Sequence, residues 1–482
     1  MMCRMPAGSR NTRALRLGRG FPKRVSTTPT RFSSGSSTEA FTRRRSTGRT
    51  RPGQRTECGV GHAGRPGGNV TSYHGNISTE DHLMSERRRV LIVGGGIGGL
   101  TAAGLLLLAG HDVQVFEQAL ELGEVGAGIQ VSANATHVLR HLGVLERLAS
   151  VSVRPLRTEF RLHDTAEIVS QILLGDSHEE RFGAPYLHVY RPDILGILEA
   201  RVRELAPSAI HLGKALERYE EGPDNVTLYF ADGTMASGDL LIGADGIKSV
   251  VRAQMHGLEP ARYTGNVAWR VMVPVEKLPP DFQPPIFVNW MGPDKHMVVY
   301  WVHGGKLLNF VGCVEKPEWT QEGWAIKAPW DDLKADFVGF HQDVQTMIDA
   351  ADKDNCFCWA LNNRPRLEFW STERVTLLGD SAHPTLPYMA QGAVMAIEDA
   401  AVLMRALNEF DDLAEALRGY EKARIERTAR IVNESTEHAR LFHFQTHDEF
   451  REAFARKDPA RDRGLWLYNY NPLTVPIGAE TA

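Results

Sequence analysis

Residues 90–99 read VLIVGGGIGG, and the apolar run LTAAGLLL follows at 100–107. The first four residues predict a buried strand, and the run after the glycines predicts a helix that packs on a sheet. Gly94 permits a tight turn, Gly96 lets the backbone approach a pyrophosphate, and Gly99 lets helix and strand pack closely. The helix N-terminus adds free N–H donors and a partial positive charge. This stretch therefore predicts a Rossmann-type βαβ unit that binds a dinucleotide.

A second strand supports this interpretation. The segment HDVQVFE, residues 111–117, alternates apolar and polar residues and ends in Glu117, 18 residues beyond Gly99. An acidic residue at that distance binds a ribose hydroxyl in dinucleotide folds. The pattern does not distinguish NAD from FAD.

Composition separates the N-terminal segment from the rest of the chain. The 482 residues are 42% hydrophobic, enough for a large core and more than one domain. Residues 1–84 hold 14 arginines and one lysine against four acidic residues, and we expect them to be disordered. They could be a targeting segment, a nucleic-acid-binding arm or an upstream extension without function. Met84-Ser85-Glu86 directly precede the first predicted strand, which favours the last.

Cysteines and hydropathy point to an ordinary cytoplasmic enzyme. The five cysteines show no zinc or redox spacing, and no apolar run reaches the ~18 residues of a membrane span. We expect no membrane or nucleic-acid partner, and a monomer or homodimer.

Two further segments are candidate cofactor contacts. The glycine-dense loop at residues 123–130 predicts a backbone that passes close to a flat ring, with Gln130 near that ring. Arg191 begins a predicted helix whose first turn holds Pro192. Arg191 could be an ordinary surface arginine at a helix start. Because the helix dipole does not favour a cation there, we expect it to have an anionic or flavin partner.

Two more strands end in candidate ligand contacts. Residues 240–246, LLIGADG, predict a buried strand with Asp245 and Gly246 at its carboxyl end, where open α/β sheets bind ligands. A later strand, residues 374–378, ends in Gly379 and Asp380. Asp380 is placed to bind a ribityl hydroxyl of a flavin, and Pro387 fixes the following turn. The next helix begins at Gly392-Ala393, and its N–H groups could face the pyrimidine end of a flavin.

The middle of the chain predicts an antiparallel sheet. Alternating, aromatic-rich runs lie at residues 267–273, 286–290, 296–302 and 307–311, and they could floor a pocket for an aromatic substrate, with Trp269 in contact with it. By period two, His296 and Tyr300 share one face of their strand. They could orient or deprotonate a phenol, or be half-buried sheet residues without chemistry.

These segments predict an α/β protein of several parts. We expect a Rossmann-type FAD-binding domain from residues 85–260 and 366–410. An antiparallel β-sheet substrate domain would span 261–365, and a C-terminal helical region 411–482.

The ordered set of motifs resembles a known family. From residue 87 to 480, the two glycine-rich sites, Glu117, the Arg191-Pro192-Asp193 step and Asp245-Gly246 resemble the single-component aromatic-ring flavoprotein monooxygenases of the para-hydroxybenzoate hydroxylase fold. Residues 379–399 and the end WLYNYN, 466–471, are most similar to salicylate hydroxylases and 6-hydroxynicotinate 3-monooxygenases.

The resemblance implies a reaction and a set of contacts. NADH or NADPH would reduce FAD, and the reduced flavin would use dioxygen to hydroxylate an electron-rich ring. The implied cofactor contacts are Glu117, Arg191, Asp380 and Pro387, and His296 and Tyr300 would face the substrate.

Two positions depart from the hydroxynicotinate enzymes. Gln130 and Tyr388 stand where histidines are expected, and we take both as candidate substrate contacts. The departure favours salicylate or another hydroxybenzoate over a pyridine acid. A flavin-dependent halogenase is disfavoured because residues 323–329 only faintly match its Trp-x-Trp-x-Ile-Pro signature. An FAD-binding redox or interaction module without turnover is the remaining alternative.

Overall fold

The computed structural model describes residues 86–123, 127–319, 326–456 and 464–477. The predictions for residues 1–84 lie outside the described residues, as does the centre of the glycine-dense loop, 124–126.

The strands of the described ranges include every strand predicted above. In chain order they are β1 Arg89–Val93, β2 Asp112–Glu117, β3 Gly128–Val131, β4 Arg157–Leu162, β5 Ile168–Leu173, β6 Leu187–Tyr190, β7 Ile210–Leu212, β8 Leu216–Glu221, β9 Val226–Phe230, β10 Met235–Gly238, β11 Leu240–Gly243, β12 Arg262–Pro274, β13 Phe287–Gly292, β14 Lys295–Val302, β15 Leu307–Glu315, β16 Phe357–Asn363 and β17 Val375–Leu377.

The α-helices lie between these strands and after them. They are α1 Ile97–Leu108, α2 Ala133–His141, α3 Leu145–Val151, α4 Asp176–Phe182, α5 Arg191–Leu205, α6 Val250–His256, α7 Trp330–Asp336, α8 Gln342–Ala350, α9 Gly392–Glu409, α10 Leu413–Leu441 and α11 His447–Arg456.

A five-stranded parallel sheet carries the first glycine-rich site. Its order is β17-β11-β1-β2-β7, and β1 pairs in parallel with both β11 and β2. Val90, Leu91 and Ile92 are fully buried, as expected for a strand covered on both faces. Because α1 follows β1 and packs against α5 and α9, the predicted strand-turn-helix unit is confirmed.

A seven-stranded sheet forms the predicted second layer. Its order is β16-β12-β15-β14-β13-β4-β5, and its neighbours are antiparallel except for the parallel pair of β13 and β4. β4 and β5 come from within residues 85–260, so the sheet extends beyond the predicted boundary at 260. One face packs on α7 and α8 through apolar side chains. The other face lines the cavities described below.

The C-terminal helical pattern is interrupted. Residues 442–446 separate α10 from α11 within the predicted C-terminal helical region. Phe442 turns into a buried cluster that includes Phe160 and Phe450, and the next side chain, His443, is buried against β14.

None of the helices lying within the described ranges is both long enough and apolar enough to cross a bilayer.

Candidate active site

The larger of two adjoining cavities, the large cavity, has a volume of about 560 Å³. It lies at the carboxyl ends of β1, β2, β11 and β17, the edge where open parallel sheets bind ligands. The predicted cofactor residues that line it are Gly94, Gly96, Glu117, Gln130, Arg191, Asp245, Gly246, Gly379, Asp380, Gly392 and Ala393.

The glycines of the first turn have different roles. Gly94 has a φ of +111°, and a Cβ there would lie 2.2 Å from the carbonyl oxygen of Ala244. Gly99 does not line the cavity; a Cβ on it would lie 2.0 Å from the carbonyl oxygen of Gly94, so it permits the close packing predicted for it. A Cβ on Gly96 would meet no atom within 4 Å. The turn therefore leaves open space at Gly96, beside the N-terminus of α1, where a pyrophosphate could bind.

Glu117 braces the same turn. Its Oε2 accepts a hydrogen bond from the backbone N–H of Gly95, and its Oε1 accepts one from Ala119, each at 2.8 Å. The carboxylate thereby ties the end of β2 to the glycine turn while it still lines the large cavity.

Asp245 and Asp380 close the cavity at the ends of β11 and β17. Asp245 Oδ2 accepts hydrogen bonds from the N–H groups of Val250 and Val251, at 2.8 and 3.2 Å. Burial raises the pKa of this carboxyl. Asp380 is exposed to the cavity, so its carboxylate can accept hydrogen bonds from a ligand.

A buried ionic cluster fixes the helix that borders the second glycine-rich site. Arg424 lies between Glu398 and Asp399 of α9, at 2.7 Å from each. Asp399 Oδ2 also accepts a hydrogen bond from the N–H of Gly379 at 3.0 Å and lies 2.6 Å from Nε2 of His383. These contacts tie the turn around Gly379 to α9 and to Arg424 of α10.

Arg270 is a cavity residue that sequence reasoning missed. The central carbon of its guanidinium lies 5.4 Å from the centre of the Trp359 ring. Burial lowers the pKa of this guanidinium. Nε of Arg270 has no hydrogen-bond partner among the described residues. The available signal was a charged residue inside the apolar run at 267–273, on the face opposite Trp269.

A second, smaller cavity adjoins the first. The small cavity has a volume of about 300 Å³ and lies between the seven-stranded sheet, α4 and the segment Gly464–Tyr468. It shares five lining residues with the large cavity: Gln130, Val298, Val311, Pro387 and Ala390. The two cavities therefore meet at the loop around Pro387.

The structure places the predicted His and Tyr in different cavities. His296, Val298 and Tyr300 share one face of β14, as period two predicts, and His296 lines the small cavity. Tyr300 lines the large cavity, where its ring lies 4.7 Å from that of His188. Burial raises the pKa of Tyr300, which therefore keeps its proton at neutral pH.

His296 has the character of a neutral base. It is buried, and burial together with the adjacent His443 holds the pKa of its imidazole well below the ordinary value. Its ring lies 5.4 Å from the ring of Tyr388, which also lines the small cavity. The Tyr388 hydroxyl has no hydrogen-bond partner among the described residues, and burial raises its pKa. A phenolic substrate would therefore meet an acceptor in His296 and a protonated hydroxyl in Tyr388.

The predicted substrate contact of Trp269 is at odds with its position. Trp269 lies on the opposite face of β12, in the core against α7 and α8, and lines neither cavity. Its Nε1 donates a hydrogen bond to Asp336 at 2.7 Å. The alternation of the strand puts Arg270, rather than Trp269, at the cavity.

Several residues of the small cavity gave no signal in the sequence. His178 and Arg181 come from the short helix α4, and Tyr186 precedes β6. The Tyr186 hydroxyl donates to Oε1 of Gln130 at 2.5 Å. Burial, with Arg181 nearby, lowers the pKa of His178 to about 4, so this imidazole is neutral at physiological pH. Only the folded chain brings these dispersed residues to β14.

Comparison with known proteins gives a consistent result. Residues 87–435 match the family described as FAD binding domain. A 3-hydroxybenzoate 6-hydroxylase of Polaromonas naphthalenivorans is 38% identical, over 79% of this chain and 96% of that protein. A 3-amino-4-hydroxybenzoate 2-monooxygenase of Streptomyces platensis is 36% identical, over 83% and 100%. A 6-hydroxynicotinate 3-monooxygenase of Pseudomonas fluorescens is 35% identical, over 82% and 98%.

A solved salicylate hydroxylase in complex with its substrate is similar in structure. It superposes with a TM-score of 0.68 at 27% identity, over 80% of this chain and 96% of that one. The large cavity also fits FAD on its own features, because it combines open space at Gly96, the exposed carboxylate of Asp380 and the buried Nε of Arg270, which has no hydrogen-bond partner among the described residues. FAD is the cofactor, and NAD(P)H is the co-substrate typical of this family. The chain belongs to the FAD-dependent aromatic-ring monooxygenases.

Proposed function

We propose that the protein hydroxylates a small phenolic carboxylic acid, of which salicylate is the leading candidate, and that this substrate binds in the small cavity. The observation that carries the proposal is the position of His296, a buried neutral base, in a cavity that adjoins the large cavity. The relatives named above act on hydroxybenzoates and a hydroxynicotinate.

The size of the small cavity supports a single-ring substrate. A volume of about 300 Å³ is at the lower end of the range for small-molecule sites. Its apolar walls include Phe160, Val298 and Phe442, which can pack against an aromatic ring.

A basic residue supports an acidic substrate. Among the described residues that line the small cavity, Arg181 is the only one with a lysine or arginine side chain, and it is exposed. A guanidinium binds a carboxylate through two parallel N–H donors. The neutral imidazole of His178 can add a hydrogen bond without a charge.

His296 supports activation of a phenol. FAD, once reduced by NAD(P)H, supplies the chemistry that transfers one oxygen atom of dioxygen to the ring. The ring reacts faster as its phenolate, because the oxygen anion donates electron density to the carbon that is attacked. The imidazole of His296 can accept the phenolic proton, and the buried Tyr388 hydroxyl can donate a hydrogen bond to the resulting oxygen anion.

The wall between the cavities supports transfer of oxygen away from water. Four of the five shared lining residues are apolar: Val298, Val311, Pro387 and Ala390. Apolar side chains at this position would exclude water from the step in which oxygen is transferred to the substrate.

A panel of substrates tests the proposal. Purified protein with FAD is mixed with NADH or NADPH and with salicylate, 3-hydroxybenzoate, 3-amino-4-hydroxybenzoate or 6-hydroxynicotinate. We expect salicylate to stimulate NAD(P)H oxidation and to yield catechol and carbon dioxide, because attack at the carboxyl-bearing carbon expels the carboxyl group. If 6-hydroxynicotinate is the only compound hydroxylated, the substrate class is a pyridine acid and not a phenolic acid. Hydrogen peroxide with no hydroxylated product from any compound would overturn the proposal.

A further inference from the structure

Three side chains form a continuous hydrogen-bonded line from the small cavity to the protein surface. Nδ1 of His296 lies 2.7 Å from Nε2 of His443, and Nδ1 of His443 lies 2.7 Å from Oε1 of Glu315. The His296 residue is 2% exposed and the His443 side chain is also 2% exposed, whereas the Glu315 side chain is 47% exposed. The line therefore begins at a buried ring and ends in water.

The non-helical segment between α10 and α11, residues 442–446, places His443 in this line. Gln445 donates a hydrogen bond to Asp294 at 2.7 Å, which holds the segment against the turn between β13 and β14. The N–H of Glu315 donates to the carbonyl oxygen of Asp294 at 2.9 Å. The same turn thus fixes both outer members of the line.

The exposed carboxylate dictates where the protons lie on both rings. A neutral imidazole has one donor and one acceptor nitrogen, and a carboxylate only accepts. Nδ1 of His443 must therefore donate to Glu315, which leaves its Nε2 as an acceptor for the Nδ1–H of His296. Nε2 of His296 is then the nitrogen without a proton, on the ring that lines the small cavity.

The surrounding titratable groups are consistent with neutral rings. Burial lowers the pKa of His443, although the carboxylates of Glu315 and Asp294 oppose this. Cys313, opposite His296 on β15, has its pKa raised to about 12 by burial. Burial also raises the pKa of Tyr388, so neither of these two groups competes for the proton at neutral pH.

We propose that Glu315 and His443 are positioning residues that set the tautomer of His296 and carry the phenolic proton between the small cavity and water. The substrate O–H bond breaks as an N–H bond forms at Nε2 of His296. The Nδ1 proton of His296 moves to Nε2 of His443, and the Nδ1 proton of His443 moves to Glu315 and then to water. Return of one proton along the same path to the product oxygen restores both original tautomers.

The inference rests on the proposed hydroxylation of a phenol, so the first measurement needs no substrate. Proton NMR of the FAD-loaded protein follows the downfield N–H resonances of hydrogen-bonded imidazoles. We expect the E315Q variant to shift or lose a resonance that the wild type shows and that H443Q also lacks. The E318Q variant is the matched control, because Glu318 is an exposed acid three residues further along the same segment. Identical downfield spectra for all four proteins would overturn the inference even if hydroxylation is confirmed.

The second measurement uses the hydroxybenzoate that the panel identifies and a fluorinated analogue with a more acidic phenol. We expect E315Q and H443Q to lower turnover of the parent compound by roughly tenfold or more, and E318Q to leave it unchanged. The deficit should shrink for the fluorinated analogue, because its proton is lost more easily. A loss of the same size for both compounds indicates a merely structural role and overturns the inference. If no phenol is hydroxylated, the proposed function fails, and the NMR spectra alone decide whether the line fixes the tautomers.

Discussion

His296 and Tyr300 lie on one face of β14, four residues apart, yet His296 lines the small cavity and Tyr300 the large one. The two side chains therefore line different cavities, although both were expected from the sequence to face the substrate. His296 faces the proposed substrate site, and Tyr300 faces the large cavity, whose features fit FAD.

Substitution of His296 and substitution of Tyr300 should therefore have different effects on turnover. We expect H296Q to lower turnover by about 100-fold or more, the usual contribution of a general base, with FAD still bound. Y300F removes only a hydroxyl that stays protonated, so its turnover should stay close to that of the wild type. Steady-state kinetics and the flavin absorbance of the purified variants measure both effects. Equal losses in the two variants would show that His296 has no special role.

Arg181 should recognise the carboxylate of the substrate. Because this side chain is exposed, we expect R181Q to raise KM by only roughly fivefold with little change in kcat. R147Q is the matched control, since Arg147 is an exposed arginine of α3 that lines neither cavity. The difference between R181Q and wild type should vanish for the corresponding hydroxybenzamide, which carries no charge. A KM effect that persists with the amide would exclude a charge contact.

His178 should make stability depend on pH. Its folded pKa of about 4 lies below the ordinary value of 6.5, so the unfolded chain binds the extra proton first as the pH falls. The stability from the neutral, buried ring is fully present above pH 6.5 and is lost toward pH 4, by about 3 kcal/mol. The free energy of unfolding, measured with urea at each pH across this range, should fall less steeply with decreasing pH in H178F than in wild type. H141F, at an exposed position of α2, should keep the wild-type slope; an unchanged slope in H178F would contradict the assignment.

Two glycines of the first turn should respond differently to alanine. G94A forces a Cβ against Ala244 at a φ of +111°, and we expect it to lower the free energy of unfolding by about 2 kcal/mol or more. G96A meets no protein atom, so the stability of the apoprotein should not change. It should nevertheless weaken FAD binding roughly tenfold, or about 1.4 kcal/mol, because the methyl group occupies space meant for the cofactor. Thermal unfolding of both apoproteins measures the stability change, and FAD titration measures the affinity change. Wild-type FAD affinity in G96A would show that the pyrophosphate does not bind beside Gly96.

Local patterns predicted the parts of this protein that depend on short stretches of chain. The strand-turn-helix at residues 90–107 and the shared face of His296 and Tyr300 follow from periodicity, and the structure reproduces both. Trp269 was misassigned because aromatic content does not show which face of a strand meets the cavity. The role suggested for His443 depends on its contact with His296, 147 residues away. The role suggested for Arg181 depends on the cavity that it lines together with His296. No local pattern carries such information.

The most direct test of the proposed function is to follow the oxygen atom. Purified protein with FAD is supplied with salicylate, NAD(P)H and ¹⁸O₂, and the product is analysed by mass spectrometry. We expect catechol that carries one ¹⁸O atom, formed together with carbon dioxide as NAD(P)H is oxidised. Salicylate recovered unchanged, with all of the label in hydrogen peroxide or water, would show that the small cavity does not hydroxylate this acid.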